Sequence, residues 1–487
     1  MEKSKVIFGN VIDDKVYNKA LKTQKKFIKK FGDDRNVNYC LEPEAIPCLK
    51  GMGVKNLRLS EGTKPMKFPE NAVIVGNIRM GFGHYRIAMA MASCAKALGY
   101  EPYWFDLTHF DKSTGSKILA YQNNLYSMGS KLSQKSKLFN KLYWDPLNSE
   151  GFRQISYNSG DQKNAELLVP LYYNLPKDVP FIGTHVWPSQ GAIHAGLTHV
   201  VNAIPDNWPM GLHLAEGSIH TVQTPFAYFG YKMLNGMAKT PLKGIPEDQL
   251  KEVGHYIDHE LVVNIDKDCE ARIARIKKGE PLRILLTVGG AGAGAPMFAS
   301  IIKHLLPYVK EKKVALFMNF GDHLKVWNYL CKKVKGFEGQ CTKYFDEYDK
   351  VLDLVKNLEK KHVEGIHVIY NKDIFEAVYS TNLLMRHVEV LVTKPSELAY
   401  YPVPKLMMKH IGGHEVYGAV HAQEEGDSTF ECPTVETINP MFDRLIEDKE
   451  LLIHMCKQIQ KLNQQHMYDG GYEVIKLAVG EKAKGNE

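Results

Sequence analysis

Continuous apolar runs that alternate with helical patterns organise the first half of the chain. The run at 72–78 (AVIVGNI) predicts a strand buried on both faces, and a helical pattern follows it at 85–98. Strands that alternate with helices form βαβ units, so this half predicts an α/β unit around a parallel sheet. Its further apolar runs predict strands at 102–107, 181–184, 199–204 and 219–223.

The second half of the chain follows the same plan. The run at 282–288 (LRILLTV) predicts a buried strand, and 296–309 predicts the helix that comes after it. We therefore expect a second α/β unit with its own parallel sheet. Its later apolar runs predict strands at 313–320, 366–370, 388–392 and 405–408.

Composition marks the boundaries between these units. Residues 240–265 are rich in Pro, Gly and charge, which predicts a connection between two lobes. The first 65 residues show weak periodicity, and the pattern from 437 to 482 is mostly helical. We expect an N-terminal extension at 1–65, a first lobe at 66–250, and a second lobe with a helical tail at 251–487.

One segment within the first 65 residues has a basic amphipathic pattern. Val16, Phe27 and Phe31 belong to an apolar helical face, and lysines fill much of the opposite face. Such a helix either docks on a lobe with its lysines in solvent or lies on a membrane surface. The pattern is typical of an ordinary surface helix, which favours docking and leaves the membrane as the alternative.

Composition excludes several classes of protein. The chain has 487 residues, of which 44% are hydrophobic and 24% are charged, which is ordinary for a globular protein and rules out a disordered or fibrous chain. The net charge of +7 is spread over the whole length. A nucleic-acid binder concentrates more charge on one face, so we expect no nucleic-acid partner and a mild preference for anionic ligands or surfaces.

The cysteines and the N-terminus bear on the cellular compartment. None of the eight cysteines lies in a CxxC motif or in a paired Cys/His spacing typical of zinc, so no metal site is predicted. The first ten residues lack the apolar core of a signal peptide. The longest apolar stretch, 87–98, is too short to span a bilayer and contains Lys96. We expect a cytoplasmic protein with reduced thiols.

The first predicted strand ends in the glycine turn Gly81-Phe82-Gly83-His84. Glycine permits close backbone approaches, and a turn that feeds a helix leaves free N–H groups at the positive helix end, which suits an anion or a developing oxyanion. His84 has the pKa range of a general base. The alternative is a tight packing turn with a structural histidine.

A second glycine turn, 289–294 (GGAGAG), follows the apolar strand at 282–288. Glycines let phosphate oxygens approach the backbone, so this element favours phosphate binding. The segment also fits the dinucleotide pattern, which requires an acid at the end of the next strand. That strand ends at Met318-Asn319-Phe320, and Asp322 comes later than expected, so nicotinamide binding is disfavoured.

Two polar segments lie farther along the second half. Residues 393–397 (TKPSE) follow a predicted buried strand, where open α/β sheets place ligands. Lys394 suits a phosphate, and Glu397 suits ribose hydroxyls as a hydrogen-bond acceptor. The alternative is a strand-to-helix loop capped by Ser396. Residues 412–415 (GGHE) form another glycine turn, whose alternative is a surface turn.

These segments in this order resemble the two-lobed glycosyltransferases of the GT-B fold. The resemblance spans roughly residues 70–470 and is strongest to the branch with monogalactosyldiacylglycerol synthase, processive diacylglycerol glucosyltransferases and the lipid II-forming N-acetylglucosaminyltransferase. It implies an α/β protein with two Rossmann-like lobes whose parallel sheets face a central cleft.

The resemblance assigns acceptor-side roles in the first lobe. The turn ending in His84 resembles the Gly-x-Gly-His motif of the family, whose histidine activates the acceptor. Thr184-His185 resembles a Thr-His pair after a strand, and Asp206 resembles an aspartate near the acceptor. The Tyr-rich, basic segment at 121–144 resembles the part of the lipid-acting enzymes that faces acceptor and membrane. An ordinary amphipathic helix pair is the alternative.

The resemblance assigns donor-side roles mainly in the second lobe. Residues 289–294 resemble the diphosphate loop, and 393–397 resemble the motif whose glutamate grips the ribose. Residues 413–415 resemble Gly-Gln-Glu, in which the Gln/Glu pair reads the sugar hydroxyls. The expected donor-binding residues are Gly83, Gly290, Ala291, Gly292, Gly294, Lys394, Ser396, Glu397, His414 and Glu415.

Two departures from the family pattern leave the donor sugar open. The glycine stretch between Thr-Lys-Pro and Ser-Glu is missing, which shortens the ribose loop. The Gln and Asn of the family are His414 and Gly418 in this chain.

The resemblance implies inverting transfer of a sugar from a nucleotide sugar, UDP-linked by analogy, to an acceptor hydroxyl of a lipid or small molecule. His84 and Asp206 are the expected catalytic residues. Backbone dipoles would stabilise the leaving group, so we expect a metal-independent hexosyl- or glycosyltransferase (EC 2.4) with no resident cofactor. The expected partners are the donor, the acceptor and an anionic membrane surface, with the protein either free in the cytoplasm or peripheral on the inner face of the membrane.

Three rival functions remain open. A UDP-sugar 2-epimerase shares the two-lobed fold but needs no acceptor. A dinucleotide-dependent oxidoreductase is weakened by the missing acid after the second glycine turn. A non-catalytic protein that keeps the GT-B fold for binding fits the shortened loop at 393–397.

Overall fold

Two β-sheets, one in each half of the chain, organise the computed structural model of the protein, which describes residues 2–289, 292 and 294–480. The first sheet has eight strands and the second has six. Apart from the first two strands, which form a small separate hairpin, every strand belongs to one of these sheets in the described part of the chain.

Seven strands of the first sheet run parallel, and β3 pairs antiparallel with β4 at one edge. The strand order is β10-β9-β8-β7-β5-β6-β4-β3, so β5 is central and every residue of it is buried. The strands of this half are β1 (Val6–Ile7), β2 (Asn10–Val11), β3 (Leu41–Ala45), β4 (Lys55–Leu59), β5 (Ala72–Asn77), β6 (Glu101–Asp106), β7 (Phe181–Gly183), β8 (Val200–Ala203), β9 (Ile219–Val222) and β10 (Leu250–Glu252).

All six strands of the second sheet are parallel, in the order β13-β14-β12-β11-β15-β16. The central strand β11 is wholly buried between β12 and β15, which explains its continuous apolar sequence. The strands are β11 (Leu282–Thr287), β12 (Val314–Asn319), β13 (Cys341–Phe345), β14 (Ile366–Tyr370), β15 (Val390–Thr393) and β16 (Lys405–Met407).

Helices cover the faces of both sheets. The helices are α1 (Asp14–Phe31), α2 (Gly83–Ala97), α3 (Thr114–Lys135), α4 (Lys137–Phe139), α5 (Ile155–Ala165), α6 (Val186–His194), α7 (Pro225–Lys232), α8 (His259–Val262), α9 (Ile265–Lys278), α10 (Ala295–Lys310), α11 (Leu324–Lys333), α12 (Tyr348–Lys360), α13 (Ile374–Met385), α14 (Val416–Glu425), α15 (Val435–Glu447), α16 (Lys449–Gln464) and α17 (Gly470–Val479).

The predicted fold class is confirmed: two Rossmann-like lobes with parallel sheets face a central cleft in a GT-B-like arrangement. The helix α2 lies between the lobes and is buried around most of its circumference, which explains its nearly unbroken apolar sequence. Phe375 of the second lobe stacks on Tyr85 of α2 with ring centroids 5.5 Å apart.

The elements near both ends of the described residues, 2–480, pack on the first lobe. Strands β3 and β4, within the segment expected to be an extension, form one edge of the first sheet. Helix α1 packs on α5, where Gln24 Nε2 donates to the carbonyl oxygen of Lys163 over 2.5 Å. The C-terminal helix α17 returns from the second lobe, and its apolar residues join the core around α2.

Among the helices that the structure describes, none combines the length and the apolar composition that crossing a bilayer requires. All eight cysteines are free thiols.

Candidate active site

A cleft of about 1450 Å³ separates the two lobes at the carboxyl ends of the parallel strands. Open α/β sheets bind ligands at this edge because the loops after neighbouring strands converge there. Its lining includes Gly83 after β5, Asp206 after β8, Gly289 after β11, Asp322 after β12 and Lys394 after β15. The cleft therefore combines loops from both sheets.

His84 lies in the first turn of α2 and lines the cleft. Its Nδ1 is 2.7 Å from the carbonyl oxygen of Thr184, so Nδ1 carries the proton and Nε2 keeps a free lone pair. Burial lowers the pKa of His84, although the Thr184 carbonyl and the charge of Asp206 oppose this shift. The imidazole is therefore neutral near pH 7, which is the form that a general base requires.

A second histidine, His185, packs edge-on against His84 with ring centroids 4.8 Å apart. Its Nδ1 accepts a hydrogen bond from the backbone N–H of Trp187 over 3.2 Å, which caps α6 and leaves the proton on Nε2. Burial lowers the pKa of His185 well below its usual value, and the neighbouring His84 adds to this. His185 thus supplies a neutral N–H donor to the cleft, beside the lone pair on Nε2 of His84.

Asp206 and His213 form an acid–imidazole pair on the same side of the cleft. His213 Nε2 lies 3.2 Å from Asp206 Oδ2, and its Nδ1 lies 2.7 Å from the hydroxyl of Tyr231. Burial raises the pKa of Asp206, but the His213 hydrogen bond and the imidazoles of His414 and His84 outweigh it, so the pKa falls well below its usual value. Asp206 is therefore ionised at neutral pH.

The second glycine turn requires left-handed backbone at Gly292 and Gly294, whose φ angles are 62° and 88°. A Cβ at Gly292 would lie 3.2 Å from His323 Nδ1, and one at Gly289 would lie 3.3 Å from Lys394 Cε. Gly292 lines the cleft, whereas Gly294 is the N-cap of α10 and is not part of the lining. The other two predicted positions of this turn, Gly290 and Ala291, lie outside the described residues.

Lys394 brings a cation to this turn. Its Nζ pairs with Glu415, whose other oxygen accepts the backbone N–H of Ile411 over 2.7 Å. Burial lowers the pKa of Lys394, but the charges of Glu415 and Glu397 outweigh it, so the pKa is raised and the ammonium persists at neutral pH. Both oxygens of Glu415 are engaged, so this carboxylate orders the loop and the lysine rather than standing free for a sugar.

Glu397 faces the first lobe. Its Oε1 lies 3.4 Å from Nε of the buried Arg86, which also donates to Asn382. A Cβ at Gly83 would lie 2.9 Å from Oε2 of Glu397, so a larger residue would displace this carboxylate. Gly83 therefore admits a carboxylate of the opposite lobe, a contact that the sequence pattern does not reveal.

The remaining predicted residues also line the cleft. Ser396 lies between Lys394 and Glu397, and His414 approaches Asp206 closely enough to lower the pKa of that carboxyl. Among the described residues, the buried Nδ1 of His414 has no hydrogen-bond partner. The structure thus brings the described site residues of both lobes, apart from Gly294, into one cleft.

Several functional residues at the cleft have no recognisable motif in the sequence. His213 lies in a 3₁₀ turn at 211–213 without a motif, and the buried Arg86 has an ion-pair partner 311 positions away. Arg79 and Asp322 form a further ion pair between the lobes. Only the position of Asp322 just beyond β12 offered a signal, because loops at that edge face the ligand.

Family models match both halves of the chain. Residues 6–233 match a domain of unknown function (DUF6937), and residues 245–479 match a second one (DUF6938). No curated protein matches the chain.

Several solved structures are similar to this chain. UDP-GlcNAc 2-epimerase from Neisseria meningitidis bound to UDP-GlcNAc is 13% identical over 84% of this chain and 97% of its own, with a TM-score of 0.43. The S. aureus MnaA–UDP co-structure is 14% identical over 79% and 91%, with a TM-score of 0.41. Trehalose 6-phosphate synthase from Burkholderia multivorans is 10% identical over 85% and 99%, with a TM-score of 0.42. Likenesses of this extent do not bear on the substrate of this chain.

Proposed function

We propose that the protein is an inverting, metal-independent glycosyltransferase that moves a sugar from a UDP-sugar to an acceptor hydroxyl. The proposal rests on one arrangement above all. A neutral His84 with a free Nε2 lines the same cleft as Lys394 and the glycine turn of the other lobe. A base on one side and a phosphate-binding element on the other are what direct displacement at a sugar carbon requires.

His84 would act on the acceptor. Its Nε2 takes the proton of the acceptor hydroxyl while the hydroxyl oxygen attacks the anomeric carbon and the bond to the diphosphate breaks. The imidazolium that forms is stabilised by the Thr184 carbonyl, which accepts its Nδ1–H at 2.7 Å, and by the charge of nearby Asp206. A positioned base of this kind contributes roughly 10²–10⁴-fold to the rate.

The second lobe would act on the leaving group. UDP departs with the electron pair of the broken bond, so negative charge grows on the diphosphate. Lys394 supplies a cation beside Gly289, and the turn at 289–294 leads into the N-terminus of α10, whose dipole favours an anion. His414 offers its unpartnered Nδ1 as a further contact for the donor.

An apolar wall beside the cleft supports a lipid acceptor. Leu125, Tyr126, Tyr143 and Leu147 line the first-lobe side, and Tyr143 is also exposed to solvent. Further apolar side chains in the same stretch of chain, 125–147, are exposed to solvent, which suits an acceptor with hydrocarbon chains and attachment to an anionic membrane surface. These exposed side chains are Met128, Leu132, Leu138 and Leu142.

The test is release of UDP from a panel of UDP-sugars, with a glycerolipid acceptor in vesicles, with a soluble sugar acceptor, and without acceptor. We expect UDP release that depends on the lipid and a product with inverted anomeric configuration, detected by NMR. UDP binding without release under any of these conditions would favour a binding protein. Absence of UDP binding would remove the nucleotide-sugar assignment.

One observation favours a second candidate, a UDP-sugar 2-epimerase-like enzyme. The Asp206–His213 pair adds an acid–base couple to the cleft beyond the single base that transfer requires. Epimerisation consumes the UDP-sugar alone, so the acceptor-free arm of the same experiment distinguishes the two. A C2 epimer formed without acceptor would replace the transferase proposal.

A further inference from the structure

Two histidines and one carboxylate converge near the junction of the lobes, away from the residues that line the cleft. His255 lies between β10 and α8, while His421 and Glu425 lie one turn apart on α14. Their nearest side-chain nitrogen and oxygen atoms all lie within 4.8 Å of one another. The i, i+4 spacing on a helix directs both α14 side chains toward the histidine of the connecting segment.

The polar atoms of this cluster do not supply one another with a full set of hydrogen bonds. His255 Nε2 shares a hydrogen bond with Glu425 Oε1 over 2.9 Å. His421 Nε2 lies 3.1 Å from the same oxygen but makes no hydrogen bond among the described residues. The other carboxylate oxygen, Oε2, is buried without a hydrogen-bond partner among the described residues, in a side chain that is 7% exposed. A buried carboxylate oxygen left in this state costs free energy, which a bound cation would recover.

We propose that His255, His421 and Glu425 form a binding site for a divalent transition-metal ion, with Zn²⁺ as the best match. Two imidazoles and one carboxylate are a common ligand set for zinc, which takes nitrogen and oxygen ligands at about 2.0–2.2 Å. Tetrahedral ligands at that distance stand about 3.3 Å apart. The observed separations of 2.9 Å and 3.1 Å need to open by only a few tenths of an ångström.

The surroundings of the site are compatible with a cation. His421 is partly exposed, so an ion and a water as fourth ligand can enter from its side, while His255 is fully buried. The nearby ammonium of Lys405 is paired with the buried carboxylate of Asp427 and adds no uncompensated positive charge.

Occupancy of this site would connect two parts of the fold that the chain links only at a distance. His255 belongs to the segment that leads from the first lobe to the second, and α14 begins directly after Glu415, the partner of Lys394. A metal there would hold α14 against the connecting segment. The role is structural and independent of the proposed glycosyl transfer, because none of the three ligands lines the cleft.

The test uses the full chain without an affinity tag, stripped of metal with a chelator and then dialysed against Zn²⁺ or Co²⁺. We expect one ion per chain, a rise in unfolding temperature with Zn²⁺, and Co²⁺ absorption bands typical of tetrahedral coordination. His421→Gln and Glu425→Gln should each weaken Zn²⁺ binding by at least about 10–100-fold. His454→Gln, an exposed histidine on α16 with Gln458 as its i+4 neighbour, is the matched control and should bind normally.

Two outcomes would overturn the proposal. In the first, the dialysed wild-type chain contains no more Zn²⁺ or Co²⁺ than the buffer around it. In the second, His421→Gln and Glu425→Gln bind Zn²⁺ as tightly as the His454→Gln control does. Circular dichroism of the metal-free variants shows whether each is folded. If the glutamine variants unfold, His421→Cys keeps a zinc ligand and should retain binding with a changed Co²⁺ spectrum; loss of binding in that folded variant would also count against the site.

Discussion

The Nδ1–H group of His84 donates to the backbone carbonyl oxygen of Thr184 over 2.7 Å. A carbonyl oxygen only accepts, so this contact fixes the tautomer and leaves Nε2 unprotonated. Thr184 follows β7, whereas His84 belongs to the turn after β5, and these two strands are neighbours in the sheet. The orientation of the proposed base is therefore a property of the parallel sheet.

The variant His84→Asn tests this base. Asparagine retains an N–H group that can reach the Thr184 carbonyl but lacks the lone pair of Nε2. We expect acceptor-dependent UDP release to fall by roughly 10²–10⁴-fold, while UDP affinity measured by calorimetry stays unchanged.

His199→Asn provides the matched control for this variant. The Nδ1 of His199 also donates to a backbone carbonyl, that of Asp178 over 3.0 Å, but His199 does not line the cleft. Its substitution should leave turnover intact. Full turnover of His84→Asn would mean that another group removes the acceptor proton.

The Lys394–Glu415 pair allows nucleotide binding to be separated from stability. In Lys394→Met the mostly buried Glu415 loses its partner, and breaking a buried pair costs roughly 3–5 kcal/mol. We expect a smaller loss of unfolding free energy, because 26% of the Lys394 side chain is exposed. UDP affinity should also fall, because the diphosphate loses a cation.

The double variant Lys394→Met with Glu415→Gln distinguishes the two effects. It leaves no unpaired carboxylate, so urea unfolding should return most of the way to wild type. UDP affinity should remain as low as in the single variant. Recovery of UDP affinity in the double variant would show that Lys394 acts only by neutralising Glu415.

The central strands and the glycine turns were predictable because their physical causes are local. A parallel strand covered on both faces must be apolar throughout, as β5 and β11 are, and this produces the runs that the sequence shows. The turns after these two strands then fall at the same edge of each sheet, so His84 and Gly292 are expected at a ligand-binding edge.

The edge strand β3 and the contacts between distant segments were not predictable. Strand β3 (LEPEA) has only one fully buried residue and carries a proline and two glutamates, as strands at sheet edges often do, so it has no apolar run. The approach of Glu397 to Gly83 depends on how the two lobes meet, which no local pattern encodes. The return of α17 to the first lobe has the same cause.

The buried Asp161 predicts a pH dependence of stability. Burial raises the pKa of this carboxyl on α5 to about 7, and a hydrogen bond with Trp187 opposes the shift only in part. Because the pKa of Asp161 is higher in the folded state than in the unfolded state, its contribution to the free energy of unfolding is fully present at low pH. This contribution is lost as the pH rises from about 4 to 7. Above that range the folded state contains a buried charge.

The variant Asp161→Asn cannot ionise and should not show this loss. We compare the free energy of unfolding of the variant minus that of wild type at two pH values. This difference should be larger at about pH 8 than at about pH 4, by on the order of 4 kcal/mol. Urea denaturation at the two pH values measures this, with Asp248→Asn on the exposed surface as control. An equal difference between variant and wild type at both pH values would contradict a raised pKa.

A test of membrane attachment requires a variant that keeps the fold intact. Deletion of residues 1–35 would remove α1, and with it the buried hydrogen bond from Gln24 to Lys163 and the contacts of Phe27 and Phe31 with Tyr121. Weaker vesicle binding of such a deletion would then have two explanations. Substitutions on the exposed apolar surface beside the cleft avoid this problem.

Leu142→Glu is the sharper test of membrane attachment. Leu142 is 68% exposed, so the fold should tolerate glutamate, whereas insertion of this surface among lipids should not. Full burial of a leucine side chain is worth roughly 1.5–3 kcal/mol, so vesicle binding should fall by about tenfold or more. Val11→Glu, with the same charge change at a residue that is 76% exposed on the N-terminal hairpin, should bind as wild type does. Co-sedimentation with vesicles of neutral and anionic lipid measures both variants. Equal binding of all three proteins, or no binding by the wild type, would point to a soluble acceptor.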